Sequence, residues 1–438
     1  MKHLQEPARA VPIVEDVDVA VIGGGPAGMH AALASARLGA STVLVERYGF
    51  MGGNATNALV GPLLGVYHWG DGRLLLGGTP LEMLRRMEKL GGALLHEAGF
   101  HVPFDPEVMK FVADEMIAQA GVRLHLHSFA ARPLMRDRRI EALFTESKSG
   151  RQAIRAKVFV DCTGDGDLAV QAGAPFEMGR SGDGSLQPLT LSYRLGNIDL
   201  SKLENIYNTK AGYVATNVRA AMQRAVEAGE LPVFGGPWLM KGSTVRDNEA
   251  FVNMVRVWGN GASAEELTRL EMQGRSHMMQ FVAFLRANIP GCERTFLMDS
   301  GPQIGVRETR RIVGQYVLTE NDIVEDRRFD DAVALGCHPI DIHSPTGTVA
   351  QRLQEVPAYQ IPYRTLVPKG VENLLVAGRP ISATHEAHSS LRVMGTCMAL
   401  GLGAGAAAAL AARGNGAPND IPAASLREAL AAVGAVTE

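Results

Sequence analysis

The clearest pattern in this chain is a short, continuous apolar run that is followed by an alanine-rich stretch and a second apolar run. Residues 17–22 (VDVAVI) are mostly apolar and rich in β-branched side chains, as in a strand buried on both faces. Residues 26–39 (PAGMHAALASARLG) begin with proline and end with glycine, as helices often do. Residues 41–46 (STVLVE) are again apolar. The pattern therefore predicts a strand, a helix and a second strand in direct succession.

Similar segments recur further along the chain. Residues 104–134 predict a helix and then a pair of strands, and residues 157–176 predict a strand, a glycine turn and a helix. Residues 371–412 predict a buried strand, a loop that contains His385 and His388, and a helix of small residues with Arg392 at its head. The most apolar part of that helix, 398–412 (MALGLGAGAAAALAA), is shorter than the ~20 residues that a membrane span needs. We therefore expect a buried helix that lets backbones approach closely, and no membrane partner.

The turn after the first predicted strand carries the spacing Gly23-x-Gly25-x-x-Gly28. Glycine at these positions permits a tight bend, leaves room for a pyrophosphate at the helix N-terminus, and lets helix and strand touch. Glu46 ends the second strand about twenty residues on, where a carboxylate accepts a hydrogen bond from a ribose hydroxyl. Strand, turn, helix, second strand and acid together predict a dinucleotide site, and the acid disfavours a 2′-phosphate.

Composition and charge narrow the range of partners. The 438 residues include 43 lysines and arginines against 46 acidic residues, for a net charge of -3 and without a basic run, so we expect no nucleic-acid partner. The first sixteen residues are too polar for a secretory signal. The cysteines lack CxxC spacing, which disfavours a metal ribbon. Their small number fits the reducing conditions of the cytoplasm. They are Cys162, Cys292, Cys337 and Cys397.

Three acidic residues lie close together in the second glycine turn. Asp161, Asp165 and Asp167 have the spacing D-x-x-x-D-x-D, but the later bidentate glutamate of an EF-hand loop does not follow. We therefore predict no metal site.

Six motifs, spread from about residue 16 to about residue 413, together resemble one protein family. They are similar to those of the FAD-dependent oxidoreductases of the fumarate-reductase and succinate-dehydrogenase-flavoprotein type. The resemblance is specific for fold and cofactor and leaves the substrate open. The motifs are GGGPAG (23–28), ERxxxxGG (46–53), DxTGDGD (161–167), GVRETRRIVG (305–314), PIDIH (339–343) and AGRPISATHEAHSSLRVMGTCMALG (377–401).

The resemblance implies an α/β fold: a Rossmann-like FAD-binding domain of the glutathione-reductase type with an inserted α+β substrate-capping domain. The middle of the chain agrees with an insertion. Residues 187–200 alternate like a half-exposed strand, whereas 218–230 and 263–289 have apolar side chains at helical spacing. We therefore predict three parts: the first part of the FAD domain at 1–179, the cap at 180–300, and the second part of the FAD domain with a C-terminal helix at 301–438.

The resemblance also implies which residues hold FAD. In flavoproteins the loop corresponding to Gly52 and Gly53 passes the diphosphate and the ribityl chain. The last helix points its N-terminus at the flavin N1 and C2 carbonyl, where the positive helix end stabilises the charge of the reduced flavin. The residues expected to bind FAD are Gly23, Gly25, Pro26, Ala27, Gly28, Glu46, Arg47, Gly52, Gly53, Asn54, Thr163, Gly164, Asp165, Gly378, Arg379 and Met394.

For the reaction, the resemblance implies hydride transfer between flavin N5 and a small organic substrate, whose C–H bond the protein brings close to N5. Arginines commonly clamp a substrate carboxylate, and a histidine can accept the proton. We expect Glu308 to pair with a neighbouring arginine as scaffold. Other candidates are His388, Arg310, Arg311, Asp341 and His343, but the predicted catalytic residues are His385, Arg392 and Arg307.

Several alternatives stay open at this stage. Dehydrogenase, ene-reductase and hydroxylase chemistry all agree with the motifs, and the external electron donor or acceptor is unassigned. A second GxGxxG for a pyridine nucleotide and the CxxxxC pair of a disulfide reductase do not appear. A tRNA-modifying flavoprotein shares the fold but would need a basic face. A flavoprotein electron-transfer subunit is the other alternative, and homo-oligomerisation is left open.

Overall fold

The computed structural model describes residues 3–95, 100–203, 216–239, 242–343, 351–414 and 416–438. Its helices are α1 (Pro26–Arg37), α2 (Gly78–Lys89), α3 (Pro106–Gln119), α4 (Asp167–Gln171), α5 (Thr216–Glu227), α6 (Ala264–Asn288), α7 (Glu320–Val324), α8 (His385–Leu391), α9 (Met394–Arg413) and α10 (Ala423–Ala432). Its strands are β1 (Ile13–Ile22), β2 (Thr42–Val45), β3 (Leu63–Leu64), β4 (His101–Val102), β5 (Arg123–His125), β6 (Phe129–Arg136), β7 (Arg139–Ser147), β8 (Gly150–Asp161), β9 (Phe176–Met178), β10 (Tyr193–Gly196), β11 (Phe234–Leu239), β12 (Glu249–Val255), β13 (Phe296–Ser300), β14 (Arg310–Ile312), β15 (Ala332–Gly336), β16 (Ile340–His343), β17 (Gln351–Gln354), β18 (Tyr359–Pro362) and β19 (Leu374–Val376).

The main sheet has seven strands, with the first apolar run of the chain at its centre. β1 lies between β2 and β8, and the three strands run parallel. Val21 pairs with Leu44 on one side and with Val160 on the other, and all three side chains are fully buried. Helices and a parallel sheet occur together, so the prediction of an α/β fold is confirmed.

β8 has two neighbours on one of its sides. Its first half pairs with antiparallel β7, and its last residues pair with parallel β19. As a result β1, β2, β8 and β19 all end at the same edge of the sheet, at Ile22, Val45, Asp161 and Val376. Open sheets of this kind bind ligands outside the carboxyl ends of their strands, so this edge is where a site is expected.

The most apolar segment of the chain forms α9, which packs along α1. A Cβ atom at Gly401 would overlap the carbonyl oxygen of Ala27, and one at Gly405 would overlap that of Ala31. α9 is long and apolar enough to cross a membrane, but 94% of its apolar window is buried inside the fold. The prediction of a buried helix that lets backbones approach closely is confirmed.

The middle of the chain forms a second, antiparallel sheet in the order β11, β12, β10, β13. A separate cluster of buried apolar side chains runs from Leu189 to Val306 and includes residues of α5 and α6. The two helices begin and end within three residues of their predicted limits. The predicted strand at 187–200 is shorter, because only β10 is regular. The domain limits at 180 and 300 stay a prediction.

The second sheet contacts the first domain through a few specific side chains. The rings of Phe104 and Phe251 stack with centroids 5.4 Å apart, and the Arg246 guanidinium lies 3.0 Å from the Asp105 carboxylate. Gly61 lies against the Phe251 ring so closely that a Cβ atom there would overlap it. These contacts hold β12 against the loop after β2 and the residues before α3. A cavity lies between β12 and that loop.

Two local predictions differ from the structure. Residues 385–391, expected as a loop, form α8, whose N-cap Thr384 accepts a hydrogen bond from the Ala387 N–H at 3.3 Å. α9 therefore begins at Met394, and Arg392 lies at the end of α8 instead of at the head of the last helix. The predicted strand pair after α3 is also separated, because β5 and β6 lie at opposite edges of the main sheet.

Candidate active site

A cleft of about 1050 Å³ lies at the carboxyl edge of the main sheet. Its walls come from the start of α1, the loop after β2, the turn after β8 and the residues after β19. Most residues predicted to bind the cofactor line this cleft: Gly23, Gly25, Pro26, Ala27, Glu46, Arg47, Gly53, Asn54, Thr163, Gly164, Asp165, Gly378, Arg379 and Met394.

The N-terminus of α1 faces the cleft without a side-chain cap. Gly25 is the N-cap residue, no side chain accepts from the first turn, and the first turn contains no acidic residue. A Cβ atom at Gly25 would have its nearest neighbour, the Gly53 Cα, at 3.8 Å. Free N–H groups and the positive end of the helix favour an anion at this point. The start of α1 can therefore hold a diphosphate.

Two of the predicted residues, Gly28 and Gly52, shape the cleft without lining it. A Cβ atom at Gly28 would overlap the Gly23 carbonyl oxygen, so glycine is required where α1 leaves the turn. Gly52 has a φ of 112° and donates its N–H to the Gly24 carbonyl at 2.8 Å. Gly28 therefore keeps the first turn tight, and Gly52 joins the two glycine loops.

Glu46 lies at the end of β2 with its carboxylate in the cleft wall. Its Oε2 accepts from the Gly24 N–H at 2.7 Å, and its Oε1 accepts from the Tyr48 N–H at 3.0 Å. Burial raises the pKa of this carboxyl, and the two N–H groups oppose that shift. Each oxygen keeps a further lone pair, so Glu46 can still accept from a ribose hydroxyl.

The acidic turn after β8 is held by three separate sets of contacts. The Asp161 carboxylate accepts from the Thr163 N–H and Ala169 N–H at 2.9 and 2.8 Å, and burial raises its pKa to about 6. Asp165 contacts the Arg379 guanidinium at 3.1 Å, whereas Asp167 pairs with Arg310. Across the described ranges no three His, Cys, Asp or Glu side chains gather as metal ligands would.

A second cavity of about 1140 Å³ adjoins the cleft beneath β12. Four residues line both spaces: Asn54, Arg379, Arg392 and Met394. The rest of its lining is largely apolar and includes Val60, Pro62, Leu64, Trp69, Phe100, Trp238, Val306, Leu353 and Val393. Mostly apolar cavities with a few placed polar groups are typical of small-molecule sites.

The charged groups of the second cavity are mainly cationic. Its lining has four arginines and one carboxylate, that of Asp341; the arginines are Arg256, Arg307, Arg379 and Arg392. Arg392 lies 3.1 Å from the Asp341 carboxylate. Burial works to raise the pKa of Asp341, but His343, Arg392 and nearby His338 together hold it well below its usual range. Burial lowers the pKa of His343 to about 4, so this imidazole is neutral near pH 7.

The predicted catalytic residues do not all reach this cavity. Arg307 and Arg392 line it, but His385 lines neither the cavity nor the cleft. The His385 Nδ1 lies 2.9 Å from the buried Glu308 carboxylate, which also pairs with Arg311 as expected for scaffold. His385 faces this ion pair because α8 turns it away from the cavity, and its prediction as a catalytic residue is therefore not supported by its position.

A different histidine, His338, lines the second cavity and was missed in the sequence. Its Nδ1 lies 2.8 Å from the Pro339 carbonyl oxygen. A carbonyl only accepts, so Nδ1 carries the proton and Nε2 of the neutral ring keeps its lone pair. Burial lowers the pKa of His338, with Arg392 acting in the same direction.

Arg256 was also not predicted as a site residue, although the pattern of apolar residues around it indicates one. Residues 251–258 (FVNMVRVW) form an apolar run interrupted by Asn253 and Arg256. A polar side chain in a buried strand needs an interior partner, and both of these line the second cavity. Such interruptions mark candidate site residues when the fold is known to enclose a cavity.

The cleft as a whole fits the FAD expected from the sequence. The helices α1 and α9 both begin at it without a side-chain cap and without an acid in the first turn. Arg379 lies over Gly164, and its Nη1 has no hydrogen-bond acceptor in the described part of the chain. Two positive helix ends, a carboxylate and a free guanidinium nitrogen match the diphosphate, ribose and flavin ring of an extended FAD.

Replacing Gly25 by valine is expected to weaken FAD binding about 5- to 150-fold, because filling a packed site costs about 1–3 kcal/mol. The apoprotein should keep its stability, since the new side chain projects into open space. FAD retained after gel filtration and the melting temperature of the apoprotein give the two measurements.

Gly28→Ala is the matched control for Gly25→Val. Its Cβ would overlap the Gly23 carbonyl oxygen, so it should lower the melting temperature of the apoprotein itself. Full FAD retention by the Gly25→Val protein would show that the diphosphate lies elsewhere.

Comparison with known proteins gives a family match over most of the chain. The sequence model of a family described as "FAD dependent oxidoreductase" matches residues 18–430. A dihydrolipoyl dehydrogenase from Trypanosoma brucei brucei is 42% identical over 60 residues, which cover 14% of this chain and 12% of that protein. That second match is therefore local.

Solved structures show a similar fold at low identity. The flavin-dependent brominase Bmp2 has a TM-score of 0.50 and 11% identity, covering 94% of this chain and 83% of that one. A geranylgeranyl bacteriochlorophyll reductase-like protein from Thermoplasma acidophilum has a TM-score of 0.48 and 12% identity, covering 95% and 82%. At these identities the likeness concerns the fold alone.

Proposed function

This chain belongs to the FAD-dependent oxidoreductase family, and on that premise we propose that it transfers a hydride between N5 of FAD and a small organic substrate in the second cavity. The family confirms the predicted enzyme class and cofactor. The narrower glutathione-reductase and fumarate-reductase subtypes stay predictions, as do the cytoplasmic location and the two alternatives, a tRNA-modifying flavoprotein and an electron-transfer subunit.

The single observation that supports this reaction is the wall shared by the two spaces. Asn54, Arg379, Arg392 and Met394 line both the cleft and the second cavity, so the two adjoin at these side chains. When bound, FAD supplies an acceptor or donor of two electrons at N5. The protein then has to hold the substrate and manage its proton.

Aromatic side chains line the second cavity on more than one side. Trp69 and Phe100 pack with ring centroids 4.4 Å apart, and Trp238 comes from β11 in the other sheet. Aromatic side chains from both sides of the cavity thus line the proposed substrate space. A largely apolar lining strengthens the interactions of any charged group beside it.

His338 is the residue best placed to exchange the proton. In the oxidative direction the substrate would lose one hydrogen with its bonding pair from a C–H bond to flavin N5, and one proton from an adjacent O–H, N–H or activated C–H group. The Nε2 lone pair of His338 accepts that proton, because Nδ1 is committed to the Pro339 carbonyl. In the reductive direction the protonated ring returns it.

The test is anaerobic reduction of the FAD-loaded protein by a panel of small alcohols, amines and saturated acids, followed through the visible absorbance of the flavin. At least one compound should bleach the flavin without added nicotinamide cofactor. Deuterium at the oxidised carbon should slow that bleaching, because the C–H bond breaks in the step.

Two results would overturn the proposal. One is bleaching by NADH or NADPH alone, followed by oxygen consumption that yields a hydroxylated or halogenated product. The other is bleaching by a substrate whose rate is unaffected by deuterium at every carbon. Either result would assign the substrate cavity to another flavin chemistry.

A further inference from the structure

The strongest unassigned feature of the second cavity is a pair of arginines that share the same two neutral acceptors. The Arg256 Nη1 donates to the Thr190 Oγ1 at 2.8 Å and to the Asn253 Oδ1 at 2.7 Å. The Arg307 Nη1 also donates to the Thr190 Oγ1, and its Nη2 donates to the Asn253 Oδ1 at 3.4 Å. The two guanidinium groups therefore lie side by side.

Neither guanidinium has a carboxylate partner in the part of the chain that the structure describes. Arg256 is 3% exposed and Arg307 is 8% exposed, and the Nε and Nη2 atoms of Arg256 have no acceptor there. Burial lowers the pKa of Arg256 to about 9, and burial together with Arg256 and Arg392 holds the pKa of Arg307 well below its usual range. Buried charge of this kind is costly unless an anion joins it.

The one carboxylate of the cavity is already engaged by other groups. Asp341 lies 3.1 Å from Arg392 and 3.5 Å from the His343 Nε2. Four guanidinium groups line the cavity with this one carboxylate, and Arg379 pairs with Asp165 instead, so an excess of positive charge remains beside Arg256 and Arg307. A single anionic group of a ligand would balance part of that excess and replace the missing acceptor.

The fold makes room for this pair at a specific glycine. The Arg256 guanidinium lies directly over Gly235 in β11, where a Cβ atom would overlap its Cζ. The remainder of the cavity is apolar and aromatic, with Trp69, Phe100 and Trp238 among its lining residues. The ligand that fits this surface has one anionic end and an apolar, ring-sized body.

We propose that Arg256 and Arg307 bind the carboxylate of the substrate, and that the substrate is an apolar monocarboxylate. The proposal rests on the proposed function only in taking the second cavity as the substrate site. The planar guanidinium groups present several N–H donors to the two carboxylate oxygens, which matches their geometry better than a single ammonium would. The apolar body of the ligand then lies against the aromatic side chains.

The test uses the FAD-loaded protein and two probes of equal shape, benzoate and benzamide. Perturbation of the flavin absorption spectrum reports binding without turnover. Benzoate should bind at least about 10-fold more tightly than benzamide, because charge-assisted hydrogen bonds are the stronger ones. Arg256→Met and Arg307→Met should each weaken benzoate binding about 10- to 100-fold and leave benzamide binding nearly unchanged.

Two further variants keep the test decisive. Arg136→Met removes the same charge from an exposed position and should leave both affinities unchanged. Gly235→Ala keeps every charge but displaces the Arg256 guanidinium, so it should weaken the binding of benzoate and not that of benzamide. If Arg256→Met fails to fold, this variant tests the role of Arg256 in its place.

Equal affinity for benzoate and benzamide, or unchanged benzoate binding in the Arg256→Met and Gly235→Ala proteins, would overturn the proposal. Because the readout is binding and not bleaching, a failure of the hydride-transfer proposal would leave it intact. Conversely, a substrate that bleaches the flavin but carries no anionic group would overturn the proposal of a carboxylate site and leave the hydride-transfer proposal intact.

Discussion

Replacing His338 by glutamine is expected to slow substrate-dependent bleaching of the flavin about 10²- to 10⁴-fold, the usual contribution of a general base. Glutamine keeps a side-chain N–H that can donate to the Pro339 carbonyl, but it offers no basic nitrogen to the substrate. FAD content should stay at the wild-type level, since His338 lines the second cavity and not the cleft. Anaerobic stopped-flow absorbance and the ratio of flavin to protein absorbance give the two measurements.

The pH dependence of the same reaction distinguishes a base from a merely structural residue. Burial lowers the pKa of His338 below its ordinary value of 6.5. The ring accepts a proton only when neutral, so the wild-type rate should fall as the pH drops through a value below 6.5 and stay level above it. The His338→Gln protein should lose that fall in rate.

His385→Gln is the matched control, because it changes the histidine favoured by the sequence. His385 contacts the buried Glu308 carboxylate, which also holds Arg311, so the change should lower the melting temperature. The bleaching rate of the folded, FAD-loaded fraction should stay within a few-fold of wild type. A large loss of rate in His385→Gln with little loss in His338→Gln would reverse the assignment.

Gly401→Ala is expected to destabilise the whole protein by about 3 kcal/mol or more, at the upper end of the cost of overpacking. The added Cβ would overlap the Ala27 carbonyl oxygen, and a backbone atom in a helix cannot move aside as a flexible side chain can. α1 would have to separate from α9, which also displaces the start of α1 at the cleft. Thermal unfolding with and without FAD should show both a lower melting temperature and weaker FAD retention.

Gly403→Ala controls for the change of residue type in the same helix. Both substitutions gain about 1 kcal/mol of helix propensity, but a Cβ at Gly403 would meet the Val333 side chain and carbonyl oxygen at 3.0 and 3.2 Å. Val333 needs to move by only a few tenths of an ångström to accommodate this Cβ atom. The Gly403→Ala protein should therefore be much more stable than the Gly401→Ala protein. Equal stability of the two proteins would contradict the close approach of α1 and α9.

The sequence was most informative where the physical cause is local. Residues 17–46 become β1, α1 and β2 because continuous apolar runs and an alanine-rich stretch favour a buried strand, a buried helix and a second strand. Gly23, Gly25 and Glu46 line one cleft because they occupy the ends of adjacent parallel strands. The same logic placed the small-residue helix α9 inside the fold.

The second cavity depended on contacts between distant parts of the chain. His338 follows β15, Arg256 follows β12, and Arg307 lies shortly before β14. No periodicity or spacing relates these three positions, so the sequence could not bring them together. The absence of His385 from the lining of both spaces has the same origin, because its ring contacts the Glu308 carboxylate, which also pairs with Arg311.

By itself, then, the sequence determined most of the strand and helix pattern and the glycine loops that line the cleft, since these depend on backbone preferences and burial that act over a few residues. Only the tertiary structure showed that Arg256 and His338 join Arg307 and Arg392 at the second cavity. That arrangement follows from how the second sheet packs over the first domain, through contacts such as Phe251 on Gly61 and Arg246 with Asp105. Packing between distant segments selects the face that each polar side chain presents, and a linear pattern does not contain that information.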